Sequence, residues 1–206
     1  MEKGLANPGR RKKINEGLRW ARARNQMRNP QLKMKNIKIT LAALFLALTL
    51  AARAADVTVT ITDVHICCQS CVKGVAKAVA DVTGLTAKAD EDAGTVTLTG
   101  PDTATVQKGA DALVAAGFFG KSSDASIKIN SATGAKNQTV QSVKIEDLHL
   151  CCGKCVKAVN AALTSVPGVT GNTAAKGAKS FEVTGNFNDK DLFDALQKAG
   201  FTGQEK

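Results

Sequence analysis

Two short stretches hold every soft ligand in the chain. Residues 64–72 read VHICCQSCV, and residues 148–156 read LHLCCGKCV. At a constant offset of 84, His65 aligns with His149, Cys67 with Cys151, Cys68 with Cys152 and Cys71 with Cys155. These two copies contain all six cysteines and both histidines. Thiolate and imidazole suit Cu(I) or Zn(II), whereas Mg or Ca would call for clustered oxygen ligands. The pattern points to metal sites or redox sites, with metal ahead.

A CxxC at the start of a helix places two thiols close together, where free backbone N–H groups and the helix dipole favour the thiolate that a metal needs. Cys68/Cys71 and Cys152/Cys155 form such pairs, and Cys67 and Cys151 add a third thiol to each. Thiol–disulfide exchange and structural disulfides are the competing readings. Against them, vicinal cysteines pair only with strain, and three thiols leave one over after any local disulfide. His65 and His149 stand three residues before each CxxC. They are further candidate ligands that would complete a Cys₃His set for zinc. Their other reading is as strand ends with local hydrogen bonds. Lys73 and Lys157 either offset thiolate charge or are solvated helix residues.

Around these sites the chain reads as a duplicated alternation of strands and helices. Residues 57–61 (VTVTI) are β-branched with period two, a strand running into the first site. Val72, Val75, Val79 and Val82 then mark one helical face, stopped by Gly84. Residues 85–89 and 95–99 are expected strands, with a turn at 90–94. Pro101 and Asp102 open a second helix with Val106, Ala110, Leu113 and Val114 inward, ending at Gly117; a fourth strand falls between 118 and 129. Residues 131–139 (SATGAKNQT) read as a linker. The second unit repeats the order: a strand at 140–148, a helical face of Val156, Val159, Leu163 and Val166, a strand at 181–184, and a helix marked by Leu192, Phe193 and Leu196. Ala199-Gly200-Phe201 echoes Ala116-Gly117-Phe118, and any last strand here is very short.

The net charge of +10 is confined to the start of the chain. Residues 1–53 carry 13 basic and 2 acidic side chains, which leaves 15 basic and 16 acidic for the rest. Residues 54–206 therefore sit at −1, without the electrostatic footprint of a nucleic-acid binder. Residues 1–33 read as a basic upstream segment, either an extension or a stretch ahead of the true start. Residues 34–54 read as a signal peptide: a lysine-bearing n-region, an apolar run at 39–50, and Ala52-Arg53-Ala54 before a cut at Ala55. The apolar run is shorter than the roughly 20 residues a membrane span needs. The mature chain is expected to be periplasmic or secreted, with no membrane attachment after cleavage.

A strand, a CxxC loop, a helix, two strands, a helix and a closing strand make a βαββαβ unit. With CxxC between the first strand and first helix, this resembles the heavy-metal-associated domain of copper chaperones and of the N-terminal arms of metal-pumping ATPases. An apolar residue (Ile66, Leu150) two positions before the CxxC and an Ala-Gly-Phe after the second helix add to the likeness. The resemblance implies an α+β fold of two ferredoxin-like domains, at 55–130 and 139–206 with a linker at 131–138, the second with a truncated last strand. It also implies that the Ala-Gly-Phe loop lies beside the metal, with Phe118 and Phe201 as shields. His65-Ile66-Cys67 and His149-Leu150-Cys151 replace the family's glycine-methionine-threonine, so the third thiol departs from a two-coordinate copper site. The expected function is binding, not catalysis: a soft ion, Cu(I) ahead of Zn(II), sequestered or handed between a metal donor and an acceptor protein through paired CCxxC sites. A thiol–disulfide oxidoreductase, or a structural module with oxidised cysteines, is the alternative.

Overall fold

The computed structural model describes residues 55–206; the basic upstream segment and the signal-peptide stretch lie outside the described residues. In the first half, β1 (Val57–Thr62), α1 (Gln69–Ala78), β2 (Thr86–Asp90), β3 (Thr95–Gly100), α2 (Thr103–Ala115) and β4 (Lys121–Ser122) follow in order. The second half has β5 (Thr139–Glu146), α3 (Gly153–Thr164), β6 (Val169–Asn172), β7 (Ser180–Asn188), α4 (Asp189–Lys198) and β8 (Gln204–Glu205). The sheets run β2-β3-β1-β4 and β6-β7-β5-β8, every pairing antiparallel. This is the α+β, ferredoxin-like βαββαβ arrangement twice in tandem. Both halves fall within one compact unit, Ala54–Lys206.

Strand alternation decides which face is covered. In β1, Val59 and Ile61 are buried against the helices, while Thr58 and Thr60 face outward and meet Thr99 and Thr97 across the ladder. Cys71 and Val75 of α1, with Val106, Ala110 and Leu113 of α2, close that core. Each fully buried Val or Leu stabilises it by roughly 1.5–3 kcal/mol. In the second half Val143 and Ile145 take the strand positions, opposite Cys155, Val159 and Leu163 of α3 and Leu192, Phe193 and Leu196 of α4.

Several boundaries differ from the sequence expectation. Helix α1 ends at Ala78, not near Gly84; Val79 leaves helical geometry, yet it stays buried through the turn that follows. Strand β6, implied by the repeated βαββαβ order but not located from the sequence, falls at Val169–Asn172. The last strand of the second half is two residues long, as expected, and β4 is equally short. The cause lies in the Ala-Gly-Phe segments. They do not extend along β1 and β5 but pair with each other, through an antiparallel bridge between Phe118 and Phe201. The 131–138 segment is packed rather than loose. Buried Asp189 accepts from the backbone N–H groups of Lys136 and Gln138, both at 2.8 Å, and Thr133 O accepts from Glu205 N at 2.7 Å.

Candidate metal centre

The two cysteine loops leave their strands through Asp63 and Asp147, each at φ 60, a left-handed turn that aspartate tolerates better than most residues. Beyond the turn the side chains alternate. Val64 and Ile66, like Leu148 and Leu150, are buried. They anchor each loop and leave His65 and Cys67, or His149 and Cys151, to face the opposite half. Helices α1 and α3 then begin with Cys68 and Cys152 as N-caps, and neither makes a side-chain cap hydrogen bond. By contrast, Asp102 and Asn188 cap α2 and α4 through their side chains. Apart from Cys71 N, which donates to Cys68 O at 2.8 Å, the first-turn N–H groups of α1 and α3, with the positive ends of their dipoles, therefore remain available to sulfur.

Each Ala-Gly-Phe segment reaches across. Phe119 N donates to Gly200 O at 3.2 Å, and Thr202 N donates to Gly117 O at 3.1 Å. The His65 ring stacks on Phe201 with centroids 4.4 Å apart, and His149 meets Phe118 at 4.3 Å. Glycine is required at both crossings. Gly117 and Gly200 have φ of +85, and an added Cβ would lie 2.5 Å from His149 N or 2.4 Å from His65 N.

This docking gathers all six cysteines. Ten Sγ···Sγ separations are 4.0 Å or shorter. Six of them cross between halves, including Cys71–Cys151 at 3.4 Å, Cys67–Cys152 at 3.5 Å and Cys67–Cys155 at 3.6 Å. An ion with metal–sulfur bonds of about 2.3 Å needs sulfurs about 4.0 Å apart in trigonal geometry and about 3.8 Å in tetrahedral geometry. The observed spacing fits that donor set. The cysteines thus form one cluster bridging both halves, which replaces the expected separation into one site per half.

The cluster favours thiolates at Cys71 and Cys152 and resists ionisation of Cys67, Cys151 and Cys155. Cys71 is drawn down to about 2, chiefly by the Cys155 thiol donating to its sulfur, with His149 and Cys151 adding. Cys155 is pushed up by sharing that proton. Burial pushes Cys67 up to about 12 and raises Cys151 as well. Burial also opposes ionisation of Cys152, but hydrogen bonds from Cys155, Cys67 and Cys68 outweigh it and bring it to about 6. Burial lowers His65 from its ordinary value, so its imidazole is neutral at pH 7, the form that ligates metal. The Nε2 atoms of His65 and His149 are both buried without a hydrogen-bond partner.

His65 groups with Cys67 and Cys155, not with the CxxC of its own half. Phe118 and Phe201 are buried beside the site, as the resemblance implied. Lys73 and Lys157 are exposed; the lysine at the cluster is Lys154, whose Nζ donates to Cys67 O at 3.2 Å. Sequence reasoning also missed Gly74, where a Cβ would come within 2.8 Å of the His149 ring. Beside the site, a cleft of about 550 Å³ is lined by His149, Cys151, Lys77 and Lys179, among others.

Fold and site define a tandem ferredoxin-like protein whose halves meet at a six-cysteine cluster. No family model matches the chain, and no curated protein does. Among solved structures it is similar to the N-terminal soluble domains of Bacillus subtilis CopA, at 17% identity over 74% of this chain and 95% of that one, with a TM-score of 0.27. It is also similar to the first two RRM domains of yeast poly(U) binding protein Pub1, at 11% identity over 73% of this chain and 98% of that one, with a TM-score of 0.24. Likeness this low carries no functional argument, and the fold assignment rests on the strand order itself.

Proposed function

We propose that the mature chain is an exported soft-metal-binding protein that takes up Cu(I), with Zn(II) next, at the inter-half cysteine cluster and sequesters it or hands it on. The observation that carries this reading is the set of ten sulfur–sulfur separations between 3.4 and 4.0 Å. Soft thiolates select Cu(I) and Zn(II) over hard cations. The two unpartnered imidazole nitrogens add donors of the same preference. Transfer proceeds by ligand exchange, in which an acceptor's thiol joins the ion before one of these leaves. The cleft at Cys151 is the opening through which that thiol arrives. The chain binds its cargo without transforming it, so it is not an enzyme.

Export rests on the 34–54 stretch and implies a periplasmic or secreted protein. Among the described residues no helix is long and apolar enough to cross a membrane. The test is metal analysis of protein purified without oxygen in a mild reductant, beside a thiol count on protein purified without reductant. Copper or zinc retained after desalting, with titratable thiols, is the expected result. Metal-free protein in both preparations, with its cysteines oxidised, would instead support the disulfide alternatives.

A further inference from the structure

Two trigonal sulfur sites can be drawn through the cluster so that they share no ligand. One joins Cys68, Cys71 and Cys151, with separations of 3.9, 4.0 and 3.4 Å. The other joins Cys67, Cys152 and Cys155, at 3.5, 3.6 and 3.7 Å. These triangles use all six sulfurs and exchange into one another under the 84-residue repeat. Each takes the CxxC pair of one half and the preceding cysteine of the other.

The separations disfavour the alternative in which each half supplies its own three thiols. Within each half, Cys67–Cys71 and Cys68–Cys71, or Cys151–Cys155 and Cys152–Cys155, lie 3.6–3.9 Å apart, but the third side, between the adjacent cysteines, is not among the ten close contacts and is placed within 4.8 Å. Adjacent residues on an extended backbone point their side chains apart, which favours the crossed sets. The N-cap geometry of Cys68 and Cys152 is of that extended kind. Every triangle whose three sides are all among those ten contacts contains sulfurs from both halves.

The histidines follow the same exchange. His65 shares a ligand group with Cys67 and Cys155, and the His149 ring lies against Gly74, on the helix that carries Cys71. Each His-x-Cys therefore serves the CxxC of the opposite half.

We infer that the chain binds two soft ions, each held by the CxxC of one half together with the third cysteine, and the histidine, of the other. This rests on the soft-metal reading and deepens it. The arrangement makes docking of the halves a condition of tight binding, because each site draws a ligand from the opposite half.

Paired substitutions at partly exposed cysteines test the exchange. Cys67→Ser with Cys152→Ser removes two ligands from one triangle and leaves the other whole. Cys67→Ser with Cys68→Ser removes one ligand from each. Cu(I) supplied from a colorimetric chelator, with native mass spectrometry for stoichiometry and a thermal melt of each variant to confirm folding, gives the readout. The unaltered chain is expected to take two tight ions. The 67/152 variant should keep one at unchanged affinity, whereas the 67/68 variant should keep none against the same chelator. The opposite pattern, with one ion kept by the 67/68 variant and none by the 67/152 variant, would overturn the exchange while leaving the metal reading intact. A stoichiometry other than two in the unaltered chain would overturn the two-site partition. Failure of the unaltered chain to take Cu(I) or Zn(II) would remove the metal reading itself.

Discussion

Replacing Gly117 with alanine should loosen the contact between the halves and, with it, the cluster. The residue sits at φ +85, where an alanine costs roughly 1–2 kcal/mol. Its new Cβ would meet Asp147 O and His149 N, both at 2.5 Å, well inside ordinary contact, and both are backbone atoms of the opposite loop. Relieving that clash moves the loops apart and endangers the two crossing bonds, Phe119 N to Gly200 O and Thr202 N to Gly117 O. A net intramolecular hydrogen bond contributes about 0.5–1.5 kcal/mol, so the total loss is on the order of 2–5 kcal/mol. For a unit of this size, 1 kcal/mol moves Tm by about 2–4 °C, which gives a fall of roughly 4–20 °C in the metal-free melt. Gly177→Ala is the control. It has φ +77 but nothing within 4 Å of the added Cβ, so it isolates backbone strain from collision. Gly117→Ala should lose more stability than Gly177→Ala and, unlike it, should weaken both ions together. Equal melting temperatures for the two variants, with metal affinity intact in both, would refute the reasoning.

Two further outcomes follow from the leader and from the electrostatics of the site. N-terminal sequencing of exported protein should begin at Ala55, and a cytosolic chain retaining residues 34–54 would contradict the compartment argument. Metal uptake should release protons, since Cys67, held up to about 12, and the raised Cys151 and Cys155 carry theirs at neutral pH. Apparent affinity should then fall as pH is lowered from 8 to 6, by about tenfold per unit for each proton displaced, measured by chelator competition. A flat profile would mean that the ligands are already ionised.

Much of the fold was legible because each half repeats one pattern. Period-two runs marked β1 and β3, and the spacing of Val106, Ala110 and Leu113 marked α2. Strand β6 was not, because it spans four residues with Val169 its only apolar side chain and Gly171 in its middle. Its pairing with β7 shifts register between Val169 and Gly171, so no clean alternation exists to be seen. The candidate ligand residues were visible from type and spacing, and His65 lies with Cys67 in one group. What the sequence did not disclose was which partners they would meet. That depends on Gly117 and Gly200 approaching backbone 30 or more residues away, a tertiary contact that local pattern does not encode. The repeated Ala-Gly-Phe was noticed as a resemblance, but its role in joining the halves became evident only from the Phe118–Phe201 bridge.

X-ray absorption spectroscopy of the Cu(I)-loaded chain tests the central claim most directly. The account predicts a first shell of three sulfurs at about 2.3 Å, with at most one imidazole nitrogen, in the unaltered protein. It predicts loss of one sulfur per ion in the variant that combines Cys67→Ser with Cys151→Ser. A two-sulfur shell that is the same before and after that double substitution would contradict it.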